Sequence, residues 1–334
     1  MEFLQKSNID FLGARKISIV ISVLLLIVTV VLLITRGLNF GLDFTGGTLV
    51  EITYDKPVEI SVVRKTLGEA GYKDAVVQHF GTIQDILIRM PVREGEKSIT
   101  MSNNIVALLR RQTGEASHHI GADQTQQCQS LDSDAVSACK VQVRRIEYVG
   151  PQVGGELAEK GGKALLFTLI AVLVYVMFRF EWRFALGAVI AIAHDVLLTF
   201  GFFSATQIEF DLTVLAALLA VLGYSLNDTI VVFDRIRENF RKIRRSPVVD
   251  ILNRSINDTL SRTIITSGTT LLALGSLLIF GGEIIRGFSV ALIVGVVVGT
   301  YSSIYIATPA VMSLGITRED MLVPEKEGAV DNTP

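Results

Sequence analysis

The chain has 334 residues, of which 50% are hydrophobic and only 19% are charged, and its mean hydropathy is +0.49. Soluble globular proteins carry about 25% charged residues. The net charge of −2 gives no basic field of the kind that binds nucleic acid. Charge is missing mainly from several long runs, which is the pattern of a protein integral to a membrane.

Six apolar runs along the chain predict six transmembrane helices. The first covers residues 17–35, follows a polar segment and lacks the small-residue cleavage site of a signal peptide, so we expect a retained helix. Helices are favoured for every span because lipid offers no partner to an open backbone N–H or C=O group. The later runs cover residues 164–178, 184–203, 212–233, 263–280 and 288–314.

Lysine and arginine residues are concentrated in alternate connections between these runs. They occur before the first run, after the second and most densely after the fourth. Because basic loops stay in the cytoplasm, residues 1–16 and the tail 315–334 are predicted to be cytoplasmic. Residues 36–162 then form an external domain, and residues 163–314 hold the second to sixth spans.

A basic stretch, residues 234–262, separates the fourth and fifth spans. Its pattern is helical, with Ile236, Phe240 and Ile243 on one side. We expect it to lie on the anionic membrane surface. A segment that serves only as an anchor, with its positive charge kept on the cytoplasmic side, explains the same residues.

The external domain reads as strand, helix, strand, strand, helix, strand. This order is typical of the ferredoxin-like α+β fold, and about 100 residues are enough for an independent core. The fold class expected is therefore an α-helical polytopic membrane protein with six transmembrane helices and one α+β ferredoxin-like domain. The predicted elements cover residues 48–54, 58–70, 75–80, 85–90, 98–112 and 141–149.

A polar stretch at about 113–140 separates the second helix of this domain from its last strand and contains both cysteines. Outside the cytoplasm, we expect Cys128 and Cys139 to form a structural disulfide. A metal site with His118, His119 and Asp123 is an alternative, but its spacing fits no familiar zinc pattern. Two free thiols are the third possibility.

Glycines mark both ends of the external domain. Gly46 and Gly47 close the motif Gly-Leu-Asp-Phe-Thr-Gly-Gly, in which Asp43 is placed to cap the turn that leaves the membrane. Gly150 and Gly154 lie where the chain returns from this domain to the membrane. These residues form either a structural junction or a hinge through which the domain tilts.

Ionisable residues inside the apolar runs are the main functional signal, because a carboxylate at the bilayer centre costs about 2.5–3.5 kcal/mol. Asp228 lies in the fourth span, Arg262 opens the fifth, and His194 and Asp195 lie near the middle of the third. Acids paired with a base are typical of a proton relay, since making or breaking the pair changes proton affinity. The alternative for each is a static contact between helices or, for Arg262, an extension to the lipid headgroups.

Other polar and small residues accompany these groups. Tyr224 and Ser225 share the helix face of Asp228, next to Asn227, and Thr266 follows Arg262 by one turn. Small residues recur on the fourth and sixth spans and predict tight helix packing. They are Ala216, Ala220 and Gly223, and Gly295, Gly299 and Ser303. No nucleotide or metalloprotease motif is visible, so no cofactor, metal or enzymatic activity is expected.

Seven motifs together resemble the SecF family, whose members are subunits of the bacterial SecD–SecF protein-export complex within the resistance-nodulation-division superfamily. The resemblance extends over about residues 36–312, and the segment 113–140 departs from it as an insertion. The motifs are GLDFTGGT (41–48), VGPQVG (149–154), FRFEWR (178–183), AHD (193–195), GYSLNDT (223–229), DRIREN (234–239) and RTIITSG (262–268).

The resemblance implies a multi-pass protein of the bacterial inner membrane with its α+β domain in the periplasm. It implies SecD as the partner, and the SecYEG channel, SecA, YajC and YidC as neighbours. Family members are thought to use proton flow to pull emerging polypeptide outward at a late, ATP-independent stage. Asp228 and Arg262 match the residues implicated in proton transport, with the proton as the coupling ion.

Two other functions are compatible with the residues. A small-molecule, proton-driven efflux component would need a larger external domain with an apolar pocket. A non-transporting scaffold that stabilises the translocon would tolerate replacement of Asp228 by asparagine. An enzyme is disfavoured because no pairing of nucleophile and base is visible.

Overall fold

Six helices long and apolar enough to cross a membrane dominate the structure, a computed structural model that describes residues 8–93, 98–120, 126–131, 135–243 and 245–317. A small sheet domain lies between the first and second of them, so the expected fold class is confirmed. The six are α1 (Arg15–Thr35), α5 (Pro151–Arg179), α6 (Trp182–Thr206), α7 (Leu212–Lys242), α8 (Val248–Phe280) and Arg286–Ser313, which divides into α9 (Arg286–Ser302), a π-helical turn (Ser303–Ala307) and α10 (Thr308–Ser313).

The interior of the membrane half is built from α6, α7 and α9, whereas α1, α5 and α8 remain largely exposed at its periphery. Glycines let the inner helices approach closely. A Cβ atom at Gly295 would meet the side chain of Val221 at 2.1 Å, and one at Gly187 would meet Val311 at 2.6 Å. The packing predicted for Gly295 and Gly299 is present, whereas Ala216, Ala220 and Gly223 face outward on α7.

The apolar side of the basic stretch between the fourth and fifth spans packs against protein. The stretch forms extensions of α7 and α8 that pack against each other, with Ile236 and Phe240 buried and Ile243 half-buried. The Asn239 side chain joins the two extensions by donating to Ser255 Oγ and Asp258 Oδ2, each at 3.0 Å. The apolar face is therefore covered by protein, so it needs no lipid.

The sheet domain has the connectivity of a ferredoxin-like fold, with its helices packed on one side of a four-stranded antiparallel sheet. The strand order is β2-β3-β1-β7, and the apolar faces of β1 and β3 form the core with α3 and α4. The main elements are β1 (Gly47–Tyr54), α3 (Ile60–Glu69), β2 (Val76–Phe80), β3 (Thr82–Met90), α4 (Ser98–Gln112) and β7 (Val141–Val149).

The polar insertion folds into a second antiparallel sheet, which the sequence did not predict. Its strands are β4 (Glu115–Ile120), β5 (Gln126–Ser130) and β6 (Val136–Ala138). A disulfide joins Cys128 to Cys139, both buried. The alternative metal set lies outside the described residues, since neither Asp123 nor the side chains of the two histidines are described.

Two side chains attach the insertion to the main sheet. The buried Arg110 guanidinium donates to the Val141 carbonyl at 3.0 Å and to Gln126 Oε1 at 2.6 Å. The Gln126 amide in turn pairs with the backbone of Val143, donating at 2.7 Å and accepting at 3.0 Å. The insertion is therefore fastened at Gln126 independently of its disulfide.

The chain leaving α1 is docked onto the loop between α6 and α7. Phe210 and the segment around Phe40 form a short parallel bridge, in which Gly41 N donates to the Phe210 carbonyl at 2.8 Å. Arg89 of β3 forms an ion pair with Glu209 of the same loop. Burial raises the pKa of the Glu209 carboxyl, although the Arg89 guanidinium beside it favours the charged form. The sheet domain therefore rests on a defined contact with the membrane half.

Asp43 caps the start of α7, whereas the sequence predicts that it caps the turn that leaves the membrane. It lies in a single helical turn, α2 (Leu42–Thr45), and its Oδ2 atom accepts a hydrogen bond of 2.9 Å from the backbone N–H of Leu212, the first residue of α7. Asp211, the N-cap residue of α7, accepts from Val214 N at 2.8 Å. Two carboxylates thus satisfy the open N–H groups at the start of the fourth span.

The junction glycines are sites of close backbone contact. Gly46 (φ +69) would place a Cβ 2.9 Å from the Cα of Pro151, and Gly47 (φ +136) would place one 2.4 Å from the Met90 carbonyl oxygen. A Cβ at Gly154 would meet the Phe44 carbonyl oxygen at 2.8 Å. Gly150 is the extended N-cap of α5, so the second junction expected at 150–162 is one continuous helix from Pro151.

We expect removal of the disulfide to loosen the insertion alone. In a Cys128→Ala, Cys139→Ala variant the insertion loses at most about 3 kcal/mol of local stability, because a short loop is no longer closed. Amide hydrogen exchange should accelerate in β5 and β6 and remain unchanged in β1 and β3. Reductant should cause the same faster exchange in the wild type and should leave exchange in the variant unchanged. Faster exchange in β1 would contradict the prediction.

Replacement of Gly47 by alanine should disrupt the sheet domain, because the added methyl group meets backbone atoms of β3. Gly71 is the matched control, since its φ of +93 is also positive but a Cβ there has nothing within 4 Å. Gly71→Ala should cost only the strain of its backbone, on the order of 1–3 kcal/mol. Proteolysis of both variants in membranes tests this; equal resistance would show that the contact at Gly47 is unimportant.

Candidate functional site

Two carboxylates are buried between the membrane helices. Asp195 of α6 is fully buried, and Asp228 of α7 is 8% exposed. Lipid cannot supply hydrogen-bond donors to a buried carboxylate, so each must find them on protein groups, most of which lie on neighbouring helices. The geometry around them is the candidate site.

The Asp228 carboxylate accepts from hydroxyl groups on two other helices. Thr263 of α8 donates to Oδ1 at 2.7 Å, and Ser303, the first residue of the π-helical turn, donates to Oδ2 at 3.0 Å. Ser303 is fully buried and Thr263 nearly so. The carboxylate therefore ties α7 to the fifth and sixth spans, and a change in its charge acts on both contacts.

The Asp195 carboxylate accepts from three groups. His194 Nδ1 lies 3.0 Å from Oδ1, while Ser225 and Ser302 donate to Oδ2 at 2.6 and 2.8 Å. An ionised carboxylate only accepts hydrogen bonds, so with Asp195 ionised the ring proton that faces it lies on Nδ1. Ser225 can reach Asp195 because Gly299, which faces it, carries no side chain.

His194 keeps one ring nitrogen without a partner. The side chain is 4% exposed, and its Nε2 atom has no hydrogen bond in the described part of the chain. Its ring stacks on Tyr301 with 6.3 Å between centroids. The Tyr301 hydroxyl reaches α1, donating to the Ser18 carbonyl at 2.9 Å and lying 3.0 Å from Ser22 Oγ.

The sixth span changes its helical repeat next to both carboxylates. After Ser302 it passes through the π-helical turn, in which Thr308 Oγ1 donates to the Ser303 carbonyl at 3.1 Å. Pro309 follows; it has no backbone N–H and crowds the preceding turn, which favours a widened helix here. The Thr308 hydroxyl thus spans the wide turn and contacts a carbonyl five residues before it.

Arg262 is not paired with Asp228 in this structure. Its side chain is exposed on α8, and it forms no ion pair with any described residue, although it is close enough to influence the charge of Asp228. Its neighbour Thr263 makes the contact instead. Asp228 and Arg262, the switching pair expected from the sequence, therefore lie near each other without forming an ion pair.

The supporting polar residues divide into two groups. The Tyr224 hydroxyl donates to Ser267 Oγ at 3.3 Å, and Ser267 lies 2.7 Å from Thr300 Oγ1, so Tyr224 joins the network that crosses α7, α8 and α9. Asn227 faces outward, and Thr266 contributes only its backbone carbonyl, which accepts from other residues of α8. Neither of these two reaches a carboxylate.

Sequence reasoning missed the hydroxyl donors of the sixth span. Ser303 was assigned to packing beside Gly299, and Ser302 was not singled out. The available signal was four consecutive hydroxyl residues, at 300–303, in a run that is mostly apolar. Elsewhere among the described residues, Glu115, Cys128 and Cys139 lie close together, but the disulfide removes the thiolates that would bind a metal.

Two family models match the chain. The C-terminal model of the SecD/SecF protein export membrane proteins matches residues 130–317, and the model of the SecD/SecF GG motif matches residues 31–58. The first covers all the helices that hold the two carboxylates. The second covers the junction with Asp43, Gly46 and Gly47.

Curated relatives match along almost the whole chain. The protein translocase subunit SecF of Vibrio alginolyticus is 47% identical and covers 97% of this chain and 96% of the relative. The SecF of Pseudomonas aeruginosa is 46% identical with 98% of both covered, and that of Escherichia coli O157:H7 is 48% identical with 92% and 89% covered.

A solved structure matches in three dimensions. The crystal structure of SecDF, a translocon-associated membrane protein from Thermus thermophilus, superposes with a TM-score of 0.76 at 35% identity over 94% of this chain. This chain spans 39% of the length of that protein. Its super-membrane-facing form gives a TM-score of 0.63. The chain belongs to the SecF family of protein translocase subunits.

Proposed function

We propose that this chain, together with SecD, uses the proton motive force to promote late, ATP-independent stages of preprotein translocation across the inner membrane. The observation that carries the proposal is Asp228, a carboxylate buried in a membrane helix whose partners in the described part of the chain are hydroxyl groups from two other helices. Such a group exchanges its partners when it gains or loses a proton, without an accompanying change in the apolar packing.

The partners and orientation are part of the same proposal. The solved relative contains SecD and SecF in its name and is described as translocon-associated, which supports SecD as the partner. We further propose that SecYEG, SecA, YajC and YidC work beside the complex. The basic extensions of α7 and α8 support cytoplasmic termini, with the sheet domain in the periplasm of a bacterial cell.

The proton acts through the contacts of Asp228. When the carboxylate is charged, Thr263 and Ser303 donate to it and hold α7 against α8 and α9. When it is protonated, those two bonds weaken and one must reverse its direction. A proton that crosses the membrane potential supplies about 2.3 kcal/mol per 100 mV. That energy is sufficient to favour one of two helix arrangements without ATP.

Arg262 is proposed as the switching partner of Asp228 in the alternative arrangement. It lies next to Thr263, so a rotation of α8 that breaks the Thr263 contact brings the guanidinium toward the carboxylate. Its exposure in this structure supports a partner that arrives during the cycle, because an unpaired arginine in lipid is costly.

A non-transporting scaffold is the second candidate, and one observation favours it. The Asp195 carboxylate has three donors and is fully buried, which is the arrangement of a static contact between helices. Efflux of small apolar molecules is disfavoured. The cleft of about 730 Å³ beneath the sheet domain is lined in part by charged side chains, among them Arg89, Glu209 and Arg145.

The Asp228→Asn variant should lose the part of translocation that depends on the proton gradient. The amide keeps the size of the carboxyl group and accepts one hydroxyl, but it cannot bind and release a proton. Transport of a preprotein into inverted membrane vesicles, started by ATP and followed after ATP is removed, measures this. The variant must first be matched to the wild type in amount and in assembly with SecD; unchanged late transport would favour the scaffold.

Arg262→Gln should reduce the same late phase, and Arg262→Lys should retain part of it, because a positive charge is what Asp228 needs in the alternative arrangement. Arg254→Gln is the matched control, since Arg254 is exposed on the same helix two turns before Arg262, about 12 Å along the helix axis. Equal transport by Arg262→Gln and Arg254→Gln would mean that Arg262 only reaches for lipid headgroups.

A further inference from the structure

We propose that Ser302 and Ser303 are positioning residues that couple the two carboxylates, so that a change of protonation at Asp228 is transmitted to the Asp195–His194 pair. The inference rests on the proposed function, because it assumes that Asp228 binds a proton. It adds a second responding site and the device that connects it to the first.

The two serines are consecutive in sequence but serve different helices. Ser302 donates to Asp195 Oδ2 of α6 at 2.8 Å, and Ser303 donates to Asp228 Oδ2 of α7 at 3.0 Å. Both are fully buried. Successive residues of a helix point about 100° apart, which is what allows neighbours to reach two different helices.

Each serine also has a second acceptor within reach. Ser303 Oγ lies 3.1 Å from the Thr300 carbonyl, and Ser302 Oγ lies 3.2 Å from the Gly299 carbonyl. When Asp228 is protonated on Oδ2, its new O–H donates to Ser303 Oγ. The Ser303 hydrogen then turns to the Thr300 carbonyl, so Ser303 keeps two hydrogen bonds while its bond to Asp228 reverses and weakens. The structure therefore holds acceptors for both protonation states.

The connection between the serines is a segment that can shift. Ser302 ends α9 and Ser303 begins the π-helical turn, whose wide repeat is maintained by the bond from Thr308 to the Ser303 carbonyl. A π-helical turn is less stable than the α-helix on either side of it, so it can move by a fraction of a residue at low cost. A movement of Ser303 displaces Ser302, and the donor to Asp195 changes its distance.

His194 is the group that responds. If Ser302 withdraws, Asp195 depends more on Ser225 and on His194 Nδ1, and the electron distribution of the imidazole ring changes. Nε2, buried and without a partner in the described residues, is the ring atom whose surroundings then change. The other titratable groups near the two sites are Tyr301, which stacks on His194, Tyr224, and Arg262 beside Asp228.

The coupling can be measured by nuclear magnetic resonance on the full-length chain in lipid nanodiscs, with ¹⁵N-labelled histidine. The chain has four histidines, and His79, His118 and His119 lie in the sheet domain, where they serve as internal references. Asp228→Asn imitates the uncharged carboxyl group. We expect it to shift the ring nitrogen resonances of His194 and to leave the other three in place.

The decisive comparison is the same Asp228→Asn change made in three backgrounds. The His194 shift should disappear in Ser303→Ala and in Ser302→Ala, two variants that break different ends of the connection. It should persist in Thr263→Val, the matched control, which removes the other hydroxyl donor to Asp228 while leaving the serines intact.

Three outcomes would overturn the inference. They are a His194 that does not respond to Asp228→Asn, a response of full size in both serine variants, and a response that is also lost in Thr263→Val. None of them depends on translocation. If Asp228→Asn abolishes late transport while the His194 coupling is absent, the proposed function stands and only the serine connection is rejected.

Discussion

A carboxylate inside a helix bundle must draw its donors from protein groups, most of them on neighbouring helices, because lipid cannot supply them. Asp228 draws Thr263 from α8 and Ser303 from the sixth span, while Asp195 draws Ser225 from α7 and Ser302 from α9. Close approach of these helices is the condition for all four bonds. The glycines of α9 and the π-helical turn meet that condition, so the packing of the inner helices follows from the polar contacts.

The pattern of apolar residues was sufficient to predict the spans, from their unbroken runs, and the order of the sheet domain, from its periodicity. It was also sufficient to find Asp195 and Asp228, since a charge in an apolar run is visible in one dimension. Periodicity failed in the insertion: β5 has the sequence Gln-Gln-Cys-Gln-Ser and carries no alternation. That strand is held by a disulfide and by the Gln126 amide, which no pattern of hydropathy reveals.

The partners of each charged group were beyond prediction, because they depend on the rotation of one helix against another. Arg262 and Thr263 are neighbours, yet only Thr263 faces Asp228. Asp43 could not be assigned to Leu212, since 169 residues separate them and the contact exists only after the sheet domain is docked. The helical extensions of α7 and α8 show the same limit. An apolar face fits a membrane surface and a second helix equally well until the fold is known.

The contacts at the junction determine how motion in the membrane half reaches the sheet domain. Gly46, Gly47 and Gly154 are pressed against backbone atoms, so the junction transmits force and does not bend freely. The helix that carries Asp228 begins at Leu212, where Asp43 caps it. A displacement of α7 therefore pulls directly on the motif beneath β1. The adjoining loop adds a second connection through Glu209 and Arg89. We therefore expect the sheet domain to move as one body with the start of α7, with the moving surface between α7, α8 and the π-helical turn.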